Sequence, residues 1–446
     1  MIQRVNKIFY GEKNIEEQWE AILKTINLVR PGFAEKIEVS LNDLTLICGQ
    51  NNTGKTYVTY SIYGFLDSWS NLIDFNIDKS IFEELEENGF YSIDVSIYND
   101  KVENILKNLS KKYTDELSRV FSVEDEWFSN SKFEAIIENF QLNLEIELES
   151  TFSSSKKDVL QLRKTQNSNL LEISTLMPNV KKQLPHFVLE AGINRALGDI
   201  YFKEFFKAPF IITSERTGIS LFYKELDISK NLLLETLMDS KELNPRDIIN
   251  SRHSRFARPI HDNISVIRDY ENISKKKSFI QENKRQFKPL LNTLSSLIGG
   301  SFKSSEKSVL YYPKKGKDEN KAIIPFYVTS SSIKSLFLVD LYVNCLAKKG
   351  GVLIIDEPEL NLHPNKQRQI AKLLIQLVNA GIKILITTHS DYLVREINNR
   401  IMLNNIPTKD SGKIMKEFKI DDSDVAVCIL FTTSHTATSA LSTATS

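Results

Sequence analysis

The chain has 446 residues, of which 41% are hydrophobic and 26% charged, and 57 basic side chains balance 57 acidic ones. These values are typical of a globular protein and exclude fibrous, collagen-like and wholly disordered classes. The three cysteines are too few and too widely spaced for a disulfide framework or a structural zinc site. No apolar run approaches the roughly 20 residues that cross a bilayer, so we expect a cytoplasmic protein with no membrane contact.

The first half of the chain predicts helices with a few strands near its start. Residues 14–30 have the pattern of an amphipathic helix, and residues 36–48 predict two strands around a turn. An apolar, aromatic stretch at 57–75 predicts a helix. Residues 78–205 are charged, poor in glycine and predict a mostly helical insert. The short apolar run at 209–213 predicts a buried strand.

The second half predicts helices, a hairpin and then alternating strands and helices. Residues 225–298 again have a helical pattern, with a basic middle. Two short strands joined by a polar segment follow, at 309–312 and 322–328. The next elements are two helices and two strands in alternation, at 333–347, 352–356, 365–379 and 383–388. Such alternation predicts parallel strands with helices on the faces of the sheet. The Ser/Thr/Ala-rich residues 431–446 are predicted to be a disordered tail.

Charge is distributed unevenly along the chain. Residues 82–150 carry 17 acidic and 6 basic side chains, a balance of −11, whereas residues 246–288 carry 11 basic and 5 acidic ones, a balance of +6. Two surfaces with different partners, two surfaces that meet, and two solvated helix faces all fit this pattern. The candidate contacts to DNA, RNA or an acidic protein partner are Arg252, Arg255, Arg258, Lys275, Lys276 and Lys277.

A phosphate-binding loop is predicted at residues 49–56, which read GQNNTGKT between a predicted strand and a predicted helix. Glycines let backbone N–H groups turn toward phosphate oxygens, and the helix N-terminus adds partial positive charge. Lys55 would contact the β- and γ-phosphates of ATP, and the Thr56 hydroxyl would bind Mg²⁺. The candidate nucleotide-binding residues are Gly49, Asn51, Asn52, Thr53, Gly54, Lys55 and Thr56.

Two further apolar strands end in polar residues suited to ATP hydrolysis. Residues 352–364 read VLIIDEPELNLHP, so a buried strand runs directly into two carboxylates. Asp356 is the candidate metal ligand and Glu357 the candidate catalytic group that polarises the attacking water. Residues 384–390 read ILITTHS and end the next strand with His389, a second catalytic candidate through a hydrogen bond to the γ-phosphate. A structural histidine at a strand end is the alternative.

Together, GQNNTGKT, LIIDEPELNLHP and TTHS make the sequence resemble an ABC-class ATPase of the SMC/RecF/OLD-like branch. The resemblance implies that Asn361 and His363 lie in the D-loop, which crosses to a partner protomer. It also places Ser330, Ser331 and Ser332 at the signature motif, which caps the γ-phosphate bound by the opposite subunit. This sequence lacks the glycine usual in that motif. An ordinary helix N-cap is the alternative interpretation of Ser330.

A second, weaker resemblance concerns residues 208–218, which read APFIITSERTG. They resemble the strand and Ser-Glu-Arg element of OLD-like and Septu-type ATPases. Arg216 could pair with the site or an interface, or form a structural salt bridge. No glutamine of a Q-loop is identified in the sequence.

Lys55 and Asp356 are 301 positions apart (356 − 55), more than a plain nucleotide-binding domain needs. We therefore expect an α/β P-loop NTPase fold whose ABC-type ATPase head, a mixed sheet flanked by helices, carries an inserted helical lobe or short coiled-coil hairpin. The head is assigned to 1–77, 206–224 and 299–430, and the insert to 78–205 and 225–298. The 57 residues that follow His389 (446 − 389) are too few for a Toprim nuclease domain.

Three functions fit these expectations. The resemblance favours the ATPase of a two-component anti-phage defence system of Septu, retron or PARIS type, in which an ATP-sandwiched homodimer restrains or delivers a separate effector such as a nuclease. The alternatives are an ATPase of the RecF/SMC kind that acts directly on DNA, and an ATP-locked structural module with little turnover.

Overall fold

The computed structural model describes residues 21–26, 36–154, 157–176, 186–223, 256–305, 308–314, 323–404 and 431–435. Its strands are β1 (Ala21–Ile26), β2 (Lys36–Ser40), β3 (Leu44–Cys48), β4 (Phe90–Asp94), β5 (Lys132–Ile137), β6 (Leu148–Ser154), β7 (Lys157–Lys164), β8 (Leu170–Thr175), β9 (Pro209–Ile212), β10 (Gly300–Ser305), β11 (Ser308–Pro313), β12 (Ile324–Pro325), β13 (Val352–Asp356), β14 (Lys383–Thr388) and β15 (Phe431–His435).

The α-helices are α1 (Lys55–Leu72), α2 (Ser80–Asn88), α3 (Val102–Phe121), α4 (His186–Phe202), α5 (Arg216–Phe222), α6 (Arg258–Arg268), α7 (Tyr270–Ile273), α8 (Phe279–Glu282), α9 (Lys288–Ile298), α10 (Ser331–Leu341), α11 (Pro364–Asn379) and α12 (Asp391–Asn404). Short 3₁₀ segments cover Val95–Lys101, Asp125–Phe128 and Phe326–Val328, and a π-helical turn at Tyr342–Leu346 continues α10.

A five-stranded parallel sheet organises the fold, in the order β15-β3-β14-β13-β9. Every residue of β13 is buried, and its side chains alternate between two hydrophobic cores. Val352 and Ile354 belong to one core, whereas Leu353 and Ile355 belong to the other. A parallel sheet needs this apolar cover on both faces, which its helices supply. The α/β architecture that the sequence predicts, a sheet covered by helices, is therefore confirmed.

The helix after the phosphate-binding loop, α1, packs closely against α3. A methyl group at Gly64 would lie only 2.5 Å from the Tyr113 hydroxyl and 2.8 Å from Val120, so glycine permits this approach. The Tyr113 hydroxyl donates to the Ser61 carbonyl across the same contact. This packing fixes the direction in which α1 leaves the loop.

The described residues also form three antiparallel sheets. Their strand orders are β2-β1-β5, β4-β8-β7-β6 and β10-β11-β12. The predicted hairpin between β11 and β12 is present, although β12 is only two residues long and ends in a 3₁₀ turn. Strands β2 and β3 were both expected, but they lie in different sheets.

Several sequence predictions are wrong in their secondary structure. Within the predicted helix at 14–30, residues 21–26 form a strand that pairs with both β2 and β5. The described part of the insert at 78–205 is only partly helical, because five strands, β4 to β8, accompany the helices α2, α3 and α4. Its segments KFEAII and VLQLRK alternate apolar and polar residues with the period of two that a strand requires. Of the predicted disordered tail, residues 431–435 form the edge strand β15.

Among the described residues, no helix is both long and apolar enough to cross a membrane. Residues 225–255 of the predicted basic helical region lie outside the described part of the chain, and the remainder of that region is helical, as predicted, from α6 to α9.

Candidate active site

The candidate site residues lie together at the C-terminal end of the parallel sheet. They follow four of its strands, β3, β14, β13 and β9. Because the strands are parallel, their C-terminal ends lie together, which is where ligands bind in open α/β sheets. The loop that follows β3 turns through two left-handed residues, Asn52 at φ 63° and Gly54 at φ 87°. Gly54 then caps α1, whose first residue is Lys55. The loop and helix predicted at residues 49–56 thus have the geometry of a phosphate cradle.

The Lys55 ammonium group is buried inside this loop. Its Nζ donates to the carbonyls of Gly49 at 2.9 Å and Gln50 at 2.6 Å. The Thr53 hydroxyl closes the loop by donating to the Gln50 carbonyl at 2.9 Å. The loop is therefore held in a compact turn around a lysine positive charge.

Thr56 and Asp356 meet across the site. The Thr56 hydroxyl donates to Asp356 Oδ2 at 3.0 Å, and the Thr387 hydroxyl donates to Asp356 Oδ1. Asp356 is almost fully buried, and this burial raises the pKa of its carboxyl group. Hydrogen bonds from the two threonines lower the pKa, while the negative charges of Glu215 and Glu357 raise it. The Asp356 carboxylate is thus held in one orientation by two threonine hydroxyls, with two further carboxylates nearby.

Glu357 and His389 lie side by side at the ends of the two central strands. His389 Nδ1 is 3.3 Å from Glu357 Oε1 and 3.5 Å from Glu359 Oε1. Glu359 is buried and also accepts hydrogen bonds from the Thr388 hydroxyl and the His389 amide. The imidazole is therefore bracketed by two carboxylates, and its backbone is anchored to one of them.

The backbone of Glu357 has an uncommon conformation, with φ at 50°. Its N–H is directed at Thr387, whose carbonyl and hydroxyl oxygens each lie 3.1 Å away. A non-glycine residue in this region is strained and persists only where its surroundings hold it. In this conformation the Glu357 side chain lies against the His389 ring.

Arg216 is fully buried behind the carboxylates, where it bonds to backbone carbonyls. Its guanidinium donates to the carbonyl oxygens of Thr213, Ser335, Asp356 and Glu357. Of the alternatives for Arg216, the structure therefore favours a position next to the site. The contacts described for this side chain are hydrogen bonds to backbone carbonyls and not a salt bridge. Burial lowers the pKa of this guanidinium to about 10, and the negative charges of nearby carboxylates oppose that shift.

The three candidate signature serines differ in their surroundings. Ser330 is exposed and caps α10 by accepting from the Ile333 amide at 3.4 Å, so the N-cap interpretation describes its geometry in this structure. Ser331 is exposed on the first turn. The Ser332 hydroxyl is buried and has no hydrogen-bond partner among the described residues, so it is turned away from any ligand outside the protein.

Both candidate D-loop residues are exposed. Asn361 has a left-handed backbone, with φ at 60°, and its amide donates to the Thr217 hydroxyl at 3.1 Å. His363 caps α11 by accepting from the Asn365 amide at 3.4 Å. The loop therefore runs from the end of β13 to the start of α11, with the side chains of Asn361 and His363 exposed and that of Glu359 buried.

The candidate basic contacts are only partly described. Arg252 and Arg255 lie outside the described residues. Arg258 forms an ion pair with Asp67 on α1, which ties it to the protein surface. Lys275, Lys276 and Lys277 are exposed after α7, and Lys275 lies 3.4 Å from Glu271.

Sequence reasoning missed three polar residues around the site. Thr387 bonds both Asp356 and the Glu357 amide, Glu359 holds the His389 loop, and Tyr60 donates to Glu215 at 3.0 Å. The position of Glu359 in DEPE was a usable signal, because it follows the catalytic pair by two residues. Nothing in the sequence marks Tyr60 apart from other aromatic residues of α1.

The phosphate-binding loop and the polar residues at the C-terminal ends of the parallel strands define the class of this protein. It is a P-loop ATPase, an enzyme that hydrolyses ATP. The chain belongs to the AAA ATPase domain family, whose model it matches over residues 32–394. It is also 32% identical over 111 residues to the energy-coupling factor transporter ATP-binding protein EcfA of Methanococcus maripaludis, a match that covers 23% of this chain and 37% of that protein. The aligned stretch thus spans less than half of that relative.

Solved structures with detectable similarity include SMC head domains. One is an SMC head bound to the C-terminal winged-helix domain of ScpA, at 12% identity and a TM-score of 0.31, with 85% of this chain and 92% of that chain covered. Another is the SMC head domain of Thermotoga maritima, at 9% identity and a TM-score of 0.28, with 84% and 90% covered.

Proposed function

We propose that this ATPase works as an ATP-sandwiched homodimer of the ABC type, in which each site is completed by the partner protomer. The observation that carries the proposal is the clustering of Glu357 and His389 beside the phosphate-binding loop, while the exposed Ser330 and Asn361 lie on separate loops open to solvent. Residues that face outward near a nucleotide site are available to a second copy of the chain.

The phosphate chain of ATP would lie in the loop, with its oxygens facing the N-terminus of α1. Lys55 would exchange its carbonyl partners for the β- and γ-phosphates, a stronger charge-assisted contact. Backbone N–H groups of Asn51, Asn52, Thr53 and Gly54 would complete the cradle. Ser330 and Ser331 of the partner would close over the γ-phosphate, and the partner's D-loop would lie against the same site.

The donor atoms beside the loop fit Mg²⁺. Thr56 Oγ1 and Asp356 Oδ2 are hard oxygen ligands that already face each other at 3.0 Å. When bound with ATP, Mg²⁺ offsets the phosphate charge. Thr387 would keep the Asp356 carboxylate in its orientation through the hydrogen bond described above.

Glu357 would accept a proton from the attacking water, and His389 would hold the γ-phosphate. The carboxylate is 22% exposed, enough to meet water from the nucleotide side. Its contact with His389 Nδ1 leaves Nε2 of the ring directed elsewhere and available for a phosphate oxygen. The positioning of these two groups is what the strand ends contribute to hydrolysis.

At the cellular level, we propose that the protein is the sensor and scaffold ATPase of an anti-phage defence system and controls a separate effector protein, a nuclease. The support is the resemblance of its motifs to OLD-like and Septu-type ATPases. The second candidate is a RecF/SMC-like ATPase acting directly on DNA. The exposed cluster Lys275–Lys277 favours that candidate, because adjacent cations suit a phosphate backbone.

Two measurements test the site and the dimer. Glu357→Gln should bind ATP and shift to a dimer in size-exclusion chromatography with light scattering when ATP and Mg²⁺ are present. A variant that binds ATP yet stays monomeric contradicts the sandwich. Lys55→Ala should lose nucleotide affinity by at least about tenfold, because it removes the charge that faces the phosphates. Tight nucleotide binding by this variant would contradict the assignment of residues 49–56 as the phosphate-binding loop.

Steady-state hydrolysis with and without duplex DNA separates the two cellular functions. Stimulation by DNA that is lost on reversing the charge of Lys275–Lys277 supports direct action on DNA. A matched reversal of Lys107 and Lys111, exposed on α3, should leave the DNA response unchanged. Hydrolysis that is indifferent to DNA supports a protein-triggered scaffold.

A further inference from the structure

Arg216 joins three separate segments of the active site through a single buried guanidinium group. Nε donates to the Ser335 carbonyl at 3.1 Å, and Nη1 donates to the carbonyls of Thr213 at 3.0 Å and Asp356 at 2.8 Å. Nη2 donates to the Glu357 carbonyl at 2.6 Å. The side chain is only 1% exposed. None of the steps of hydrolysis described above uses this residue, so its presence requires another explanation.

Stability alone explains this arginine poorly. Burying a charge removes its hydration and is unfavourable, and replacing buried charged groups with well-packed apolar ones is often neutral or stabilising. What an apolar side chain cannot supply is a planar fork whose donors reach several carbonyls at fixed angles. The geometry of the contacts, rather than the charge, is therefore the feature to explain.

One arm of the fork acts on the strained residue Glu357. Its φ of 50° is strained for a residue other than glycine, so contacts on both sides of the residue must hold it. Thr387 holds the amide, and Arg216 holds the carbonyls of Glu357 and of the preceding Asp356. Removing the fork would let this backbone relax and move the carboxylate away from His389.

The other arm acts on helix α10, which carries the candidate signature serines at its start. Ser335 lies one turn into the helix, and its hydroxyl donates to the Ser332 carbonyl at 2.9 Å. Thr217, the residue that follows Arg216 in the chain, accepts a hydrogen bond from the Asn361 side chain at 3.1 Å. The segment around Arg216 therefore touches the catalytic strand end, the signature helix and the D-loop.

We propose that Arg216 is a positioning residue that couples the backbone of Glu357 to helix α10, so that engagement of the serines by a partner's nucleotide is transmitted to the catalytic carboxylate. This inference rests on the roles proposed above for Glu357 and the serines. The substrate remains ATP, and the inference adds a mechanical link between the catalytic strand end and helix α10.

The test compares Arg216→Lys with Arg400→Lys. Arg400 is also buried, but it pairs with Glu396 on α12, away from the loops of the site. Arg216→Lys keeps the charge and loses the fork, so kcat should fall about tenfold or more while KM and the affinity for a non-hydrolysable ATP analogue stay within about twofold. Arg400→Lys should retain kcat within about threefold at a similar loss in melting temperature.

Two results would overturn the coupling. One is a kcat for Arg216→Lys no lower than that of Arg400→Lys. The other is a parallel loss of kcat and analogue affinity, which indicates general damage to the site. Failure of the proposed function is recognised separately, because Lys55→Ala would then keep its nucleotide affinity.

If Arg216→Lys does not fold, amide hydrogen exchange of the unaltered chain decides. ADP with Mg²⁺ occupies the loop but has no γ-phosphate for a partner's serines to contact. A change in the amide exchange of α10 on ADP binding therefore reports coupling within one protomer. Protection of 331–341 should rise with the same midpoint as protection of 352–357. Protection of 352–357 alone, with no change in 331–341, contradicts the proposal.

Discussion

Thr56 and Asp356 lie 300 positions apart in the chain, yet the hydroxyl of one donates to the carboxylate of the other at 3.0 Å. The contact links the first turn of α1 to the end of β13. It places two oxygen atoms where a divalent cation would find them, and it exists only when the parallel sheet has formed. The proposed metal site is therefore a property of the fold rather than of any continuous segment.

Replacing Thr56 with valine should weaken the dependence of nucleotide binding on Mg²⁺. The change preserves shape and removes one oxygen donor, so the Mg²⁺ concentration at half-saturation should rise about tenfold, measured by calorimetric ATP titration. Thr59→Val is the matched control, since that hydroxyl bonds only the helix carbonyls of Lys55 and Thr56 among the described residues. Equal behaviour of the two variants would contradict a metal-binding role for Thr56.

His389→Ala should lower kcat by about two orders of magnitude and leave ATP affinity within a few-fold, because we propose that the ring holds the reacting phosphate. His261→Ala is a close control. Both side chains are 45% exposed, and each lies beside a carboxylate, at 3.3 Å in the site and 3.6 Å from Asp262. A rate loss of the same size in both variants would make His389 structural.

The serines can be separated by single alanine substitutions. Ser330→Ala should lower both kcat and stability, the latter by about 1 kcal/mol, since it removes a helix cap. Ser331→Ala should affect ATP-dependent dimerisation without the capping loss. Ser332→Ala should change neither, because its hydroxyl faces inward. Analytical ultracentrifugation and thermal melts measure these effects, and a dimer unaffected by all three substitutions excludes the signature assignment.

Asp340 on α10 should make stability depend on pH. Burial raises the pKa of its carboxyl group to about 7, while a hydrogen bond from Asn344 opposes the shift. The raised folded pKa means that the protonated group favours the folded state below about pH 3.8, its unfolded value, and that this contribution is lost as pH rises through 7.

Asp340→Asn should therefore stabilise the protein at pH 8, by at most about 4 kcal/mol, and bring progressively less benefit as pH falls toward 4. Unfolding in urea at several pH values measures this. Asp391→Asn, an exposed change at the start of α12, is the control for the substitution itself. A benefit that is independent of pH would exclude titration of Asp340 as the cause.

The part of the fold that sequence predicts well is the part that carries nucleotide chemistry. Strands β13 and β14 are continuous runs of buried aliphatic residues, and helix α1 follows a loop of fixed composition, so both the elements and their juxtaposition were expected. The same motifs fixed which residues would meet at the sheet edge. Their roles in ATP binding and hydrolysis remain predictions.

What the sequence concealed depends on long-range contacts. Ala21–Ile26 has a helical pattern, but pairing on both of its edges makes it a strand. In the insert, short alternating segments such as those of β5 and β7 were obscured by the high charge around them. Arg216 is ambiguous from sequence because its partners are backbone carbonyls, which carry no residue identity.

The order of strands in the parallel sheet also constrains how the protein is made. Strand β3, near residue 45, has as its inner neighbour β14, which begins at Lys383. A ribosome must therefore synthesise more than three hundred further residues before the phosphate-binding loop gains its supporting strand. Pairings of such high sequence separation form slowly and leave apolar edges exposed. We expect the nascent chain to depend on chaperones until β13 and β14 emerge, and nucleotide binding to appear late in folding.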